Sequence, residues 1–382
     1  MKPLGVLAGT MAVVALLLVG GVDAQNAAPA ASGVTVLNQS AVQETGVIDF
    51  ANARAMPLPT ANLYEADRFA DRGSPTGTPG FVGGARGDGG QTPTFVPLQR
   101  AEPGDDFTPD EYGTSNHVFT TSRVDLTGTG TAVSARYPYR AAGKLYFNIG
   151  SGTFVCSASL IKRGVIVTAA HCVTAFGGAF YSNWRFVPAL SGTSAPYGTW
   201  SWAQVVVLTS YKNGTDSCAV RGIVCRNDIA VIRLAPQSGA FPGTRTGWLG
   251  YGWNGYGFNT VNLALINQLG YPVSHDSGNR MQRTDSEGFV GSAASFSGNT
   301  IWGSRQTGGS SGGPEVVNLG VLAALSGGIS VGAEAAFNIV VGVTSWGYTN
   351  QAVKQQGASP FTSTNIVPLV NAVCTALPAA CS

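Results

Sequence analysis

From Tyr137 onward the apolar positions fall in short runs punctuated by Gly, Asn, Ser and Pro. Lys144 to Ile149, Thr153 to Ile161, Val165 to Ala169, Gln204 to Thr209, Ile229 to Leu234 and Ile339 to Ser345 are each five to nine residues long, the length of a strand. Such runs, separated by turn residues and free of any fixed-period repeat, predict an all-β fold built as a sandwich or a pair of barrels. Only the C-terminus carries a helical period. There Ile366, Val367, Leu369, Val370, Val373 and Leu377 recur every three to four residues, with Thr364 as N-cap and Pro368 in the first turn.

The first third of the chain has a different texture. Leu4 to Val19 is an apolar run preceded by Lys2 and followed by Val22-Asp23-Ala24, which reads as an export signal cut after Ala24. The run is shorter than the roughly 20 residues a membrane span needs. Residues 25 to about 135 contain no cysteine and read as a partly disordered pro-segment. Within it, Gly73 to Gly90 has Gly or Pro at nearly every second or third position and lacks the apolar surface to order itself, so it reads as a linker. The expected layout is a signal over 1–24, a pro-segment over 25–135 and a catalytic domain over 136–382.

Composition narrows the function. Lys plus Arg number 22 and Asp plus Glu 20, so only 11% of residues are charged, against about 25% in soluble domains generally. No basic face for nucleic acid is expected. Once the signal is removed, no segment is expected in a membrane, and the expected form is a secreted monomer. The six cysteines, Cys156, Cys172, Cys218, Cys225, Cys374 and Cys381, form three sequence-adjacent couples. An even number behind an export signal argues for three disulfides; of the 15 connectivities, adjacent pairing is the simplest. With no Cys-x-x-Cys and no paired His, neither a zinc site nor any other metal or organic cofactor is expected.

The chemistry concentrates in Gly309-Ser310-Ser311-Gly312-Gly313-Pro314. A serine hydroxyl attacks poorly at neutral pH unless a base takes its proton and backbone N–H groups receive the developing oxyanion. Flanking glycines permit that backbone, with Ser311 as nucleophile and the N–H groups of Gly309 and Ser311 as donors. The chain has three histidines, His117, His171 and His275. His171, in Thr168-Ala169-Ala170-His171-Cys172, ends a strand-like run. Asp228 opens another, in a position to fix the imidazole tautomer.

These three motifs, in the order His171, Asp228, Ser311, resemble the chymotrypsin-like (trypsin-fold) serine peptidases over about residues 137 to 382. The resemblance implies two perpendicular six-stranded antiparallel barrels with a C-terminal helix, and a triad in the cleft between them. It implies a Cys156–Cys172 disulfide bracketing the histidine loop, and a substrate-pairing strand at Ser345-Trp346-Gly347. Tyr137-Pro138-Tyr139-Arg140, Gly143-Lys144-Leu145, Gly270-Tyr271-Pro272 and Thr307-Gly308-Gly309 are similar to the bacterial and fungal branch that includes the glutamyl endopeptidases. Protein or peptide substrates follow, hydrolysed through an acyl-enzyme.

The chain also departs from the family. Ser310 stands where the animal digestive enzymes carry an aspartate that captures the new amino terminus. Thr307 replaces a cysteine. Arg305 occupies the position that sets primary specificity in trypsin-like members, and Thr344 stands where the glutamyl endopeptidases have a histidine. An α/β-hydrolase elbow at Gly309 to Gly313 fails on chain order, because no histidine follows Ser311. The remaining alternative is a catalytically inactive homologue that uses the barrels as an extracellular binding module.

Overall fold

The computed structural model describes residues 33–61 except 43 and 45, 72–101, 117–125, 132–321 except 294 and 297, and 336–382 except 349 and 351. The expected export signal lies outside these residues. The early strands are β1 (Val34–Asn38), β2 (Arg54–Ala55), β3 (Thr60–Ala61), β4 (Gly80–Val82), β5 (Thr94–Phe95) and β6 (Phe119–Arg123). Next come β7 (Ala142–Ile149), β8 (Gly152–Lys162), β9 (Val165–Thr168), β10 (Ser182–Pro188), β11 (Ser194–Ala195), β12 (Trp200–Leu208) and β13 (Ala230–Leu234). The last group is β14 (Gly250–Trp253), β15 (Leu263–Gly270), β16 (Gln282–Val290), β17 (Thr300–Gly303), β18 (Pro314–Val317), β19 (Ile339–Tyr348) and β20 (Gln355–Pro360).

Two rings close. The order β12-β10-β7-β8-β9-β13 returns to β12, and β18-β15-β16-β17-β20-β19 returns to β18, with every neighbour antiparallel. Closure leaves neither six-stranded barrel with an edge of its own. The first barrel is filled by residues such as Val155, Leu160, Val167 and Ile232, with Trp184 and Trp202 edge to face at 4.8 Å. Ile266, Trp302 and Ile339 fill the second.

The predicted apolar runs coincide with β7, β8, β9, β12, β13 and β19 to within a few residues. Their faces are covered on both sides; β7 buries seven of its eight residues. One strand that hydrophobicity does not reveal, β16, is polar over much of its buried face. In β16 the buried positions alternate correctly but begin Gln282, Thr284, Ser286, so the period of two is present without the apolar signal it normally carries.

The C-terminal helix α1 (Ile366–Ala376) buries Ile366, Leu369, Val370 and Val373 against β12 and β13. Its N-cap is Asn365, not Thr364. The Asn365 side-chain oxygen accepts from Ile366 N and from Thr362 N, both at 2.6 Å, while Thr364 Oγ1 pairs with Thr362 Oγ1.

Gly73 to Gly90 also differs from its reading as a linker. Its β4 pairs with β14, and Ala85 exchanges backbone hydrogen bonds with Trp248. A Cβ on Gly84 would run into Trp248 O. The glycines therefore let one backbone lie directly on another, and the stretch is ordered by the barrel's strands without an apolar core of its own. The other early strands are used in the same way: β1 pairs with β12, β2 with β8, β3 with β19, β5 with β11 and β6 with β16.

Candidate active site

The turn that follows β9 carries His171, and the Cys156–Cys172 disulfide ties that turn back to β8. Asp228 precedes β13 just after the Cys218–Cys225 loop. Its carboxylate accepts three hydrogen bonds: His171 N at 2.8 Å, His171 Nδ1 at 2.7 Å and Ser345 Oγ at 2.6 Å. The backbone N–H of Asp228 donates to Ser359 Oγ, which donates to Cys225 O. The Asp228 side chain is 1% exposed, and its contact with Nδ1 orients the ring so that Nε2 is the nitrogen left without a partner among the described residues.

Ser311 stands on the loop that leads into β18 of the second barrel. Ser157 N, on β8, donates to Ser311 O at 2.7 Å, and Gly312 N donates to Thr344 O at 2.8 Å. A Cβ on Gly312 would overlap Thr168 Oγ1 and lie 2.8 Å from Ala169 N, so only glycine lets the serine loop press on the chain that leads into His171. Ser157 Oγ donates to Gly309 O and accepts from Tyr271 N, which ties the Gly309–Gly313 loop to β8.

His171 is 4% exposed and Ser311 is 0% exposed, yet neither His171 Nε2 nor Ser311 Oγ has a hydrogen-bond partner among the described residues. Each unsatisfied buried group costs about 1–3 kcal/mol. A buried orphan in a native structure calls for an explanation, a catalytic role being one of them.

A family model described as Trypsin matches residues 128–367, more than half of the chain. The chain belongs to the trypsin family.

Within that family it is similar in structure to the protease Anisep from Arthrobacter nicotinovorans, at 22% identity and a TM-score of 0.49, covering 62% of this chain and 96% of that one. It is also similar to a Glu endopeptidase, at 18% identity and a TM-score of 0.47, covering 67% and 96%. By sequence it is similar to an extracellular metalloprotease of Bacillus subtilis (strain 168), 28% identical over 166 residues, 43% of this chain. The chain spans 44% of the length of that curated relative. The residues here do not fit a metal. Among the described residues the close groups of candidate ligands are Cys156 with His171 and Cys172, and Asp216 with Cys218 and Cys225. In each the two sulfurs are joined in a disulfide and offer no thiolate.

The other residues singled out from the sequence are placed as follows. The third disulfide, Cys374–Cys381, staples the chain end to α1. Thr344 turns its hydroxyl into the second barrel, where it donates to Glu315 Oε1 at 2.9 Å and accepts from Gln268 Nε2, so its donor is committed inside. Trp346 is buried, its Nε1 donating to Asn299 Oδ1 and its ring stacked on Phe296. Thr307 is exposed, and its hydroxyl accepts from Ser274 N. Arg305 is half-buried beside His275; burial, then the Arg305 cation, hold the His275 pKa down to about 4. His117 is buried, contacts Glu287 O and pairs with Gln355; burial lowers its pKa.

Sequence reasoning misses Ser157 and Ser359. The available signal is a serine at an inward position of a strand, which hydrophobicity scales score as a defect.

Proposed function

We propose that this chain is a secreted serine endopeptidase that cleaves peptide bonds by acyl transfer. Ser311 Oγ attacks the carbonyl of an extended peptide while His171 Nε2 takes its proton. The oxyanion is received by the N–H groups of Gly309 and Ser311. His171 then returns the proton to the leaving amine, and water repeats the sequence on the acyl-enzyme. Asp228 keeps the ring in the required tautomer and stabilises the imidazolium, and Ser345 holds Asp228. The backbone edge at Ser345-Trp346-Gly347 is the proposed substrate strand, with Arg305 and Thr307 at the primary pocket. The proposed precursor has its signal over 1–24 and a pro-segment over 25–135, with the exposed Arg136 as a cut point before β7.

One observation carries the reading: a buried Ser345–Asp228–His171 chain of hydrogen bonds ends at an unpaired Nε2, and the adjoining loop holds an unpaired serine hydroxyl.

The test is Ser311→Ala, purified from culture medium beside the wild type with whatever amino terminus secretion leaves, on a mixed peptide library. The expected result is a loss of roughly a millionfold in kcat with the fold retained. Turnover near that of the wild type overturns the assignment. Wild-type protein that has lost residues 25–135 and shows no turnover at all favours the binding module.

A further inference from the structure

The catalytic cleft already holds a peptide, and it belongs to this chain. Residues 54–61 run from β8 of the first barrel to β19 of the second, past Gly308 and Gly309. At one end Arg54 and Ala55 form β2, paired parallel with Phe154 and Val155 of β8, and Met56 N donates to Val155 O at 2.9 Å. At the other end β3 pairs parallel with Gly347 and Tyr348 of β19, and Gly347 N donates to Pro59 O at 3.2 Å. Between them, Gly309 N donates to the Met56 carbonyl at 3.3 Å.

Each of these anchor points is one that a substrate would need. Gly309 N–H is one of the two proposed oxyanion donors. Gly347 lies on the proposed substrate strand. Pro59 forms part of the wall of a cavity of about 380 Å³ that is also lined by Asp228, Ser345 and Trp346. The side chains fit closely: Ala55 Cβ lies 3.3 Å, and Leu58 Cδ1 3.4 Å, from where a Cβ on Gly308 and on Gly347 would stand.

The sequence Met56-Pro57-Leu58-Pro59 suits an occupant that stays. Two prolines fix φ and push the residues before them into extended backbone, so little conformational freedom remains to be lost on docking. The carbonyl offered to Gly309 belongs to the Met56–Pro57 bond, whose nitrogen is a ring tertiary amide.

Resting on the peptidase reading above, we infer that residues 54–61 are an intramolecular inhibitor: a proline-stiffened peptide bound across the catalytic cleft that excludes substrate until it is released. The same contacts define the kind of ligand the cleft accepts, an extended backbone that bridges β8 and β19.

The experiment compares the full chain with its Leu58→Asp and Ala55→Arg variants, which weaken the strap at opposite ends. The readouts are kcat/KM on a peptide substrate and the rate of covalent labelling of Ser311 by a small fluorophosphonate. The expected result is at least a tenfold rise in kcat/KM in both variants. A synthetic peptide spanning Ala53 to Ala61 should then inhibit the variants competitively, raising KM and leaving kcat unchanged. A gain of this kind cannot arise from loss of fold. Equal kcat/KM in all three proteins, with Ser311 labelled equally fast and the peptide without effect, overturns the strap as inhibitor and leaves the peptidase reading intact. Failure of Ser311 to label in all three proteins overturns both.

Discussion

Asp228 and Glu315 are both buried carboxylates, and their surroundings treat them in opposite ways. Asp228 receives three donors, whereas Glu315 receives the Thr344 hydroxyl on Oε1 and leaves Oε2 without a partner among the described residues. Burial holds the Glu315 pKa well above its ordinary value of 4.5. Between that value and its raised pKa, the folded chain keeps a proton that the unfolded chain has released. Stability therefore falls as pH rises through this window. Glu315→Gln keeps the acceptor and removes the titration. In a Ser311→Ala background, which prevents self-digestion, the variant should melt higher than its parent at about pH 8 and nearly equally at about pH 4, followed by circular dichroism. An unchanged difference in Tm across that range contradicts this account of Glu315. At this scale the sequence singles out His171, Asp228 and Ser311 as candidates because each sits in a short motif of unusual composition. It does not reveal that the Thr344 hydroxyl faces inward, because an alternating strand gives the face of a residue only once the register is known. Ser359 is hidden for a similar reason: it stands in Gln355–Pro360, a strand with no large apolar residue to announce it.

Among the elements, the turn bearing His171 depends most on covalent support. It is a single 3-10 turn, Ala170–Cys172, too short to hold its own geometry. The Cys156–Cys172 disulfide closes a separation of 16 residues, which contributes about 3 kcal/mol in the chain-entropy model. Replacing both cysteines by alanine should lower Tm by about 6–12 °C, at roughly 2–4 °C per kcal/mol for a domain of this size. Differential scanning calorimetry checks this, and a shift under about 2 °C would show that β8 and β9 position the turn without the bond. Strands with apolar interiors are legible in the sequence, as β7, β8, β9, β12, β13 and β19 show. The short edge pairings β2–β8 and β3–β19 are not legible. They are two residues long each, and two residues carry no period.

On the scale of the whole molecule, two closed rings carry the proposed catalytic groups on separate parts of the chain. His171 and Asp228 come from the first barrel and Ser311 from the second, and Ser345 on β19 crosses from the second barrel to hold Asp228. Chain order and motif content make the double barrel readable in advance. The use of the early segments is not readable, because their composition predicts what they can bury alone and says nothing of strands they can borrow. Residues 33–61 and 72–101 complete and cover the barrels without forming a core of their own. The central claim is that Ser311 becomes a nucleophile through His171. The direct measurement is a burst experiment with an activated acetyl ester, quenched in acid and mapped by peptide mass spectrometry. The account predicts one equivalent of acetyl on Ser311 and none there in His171→Ala; ester turnover with no acyl group on Ser311, or undiminished acylation without His171, would contradict it.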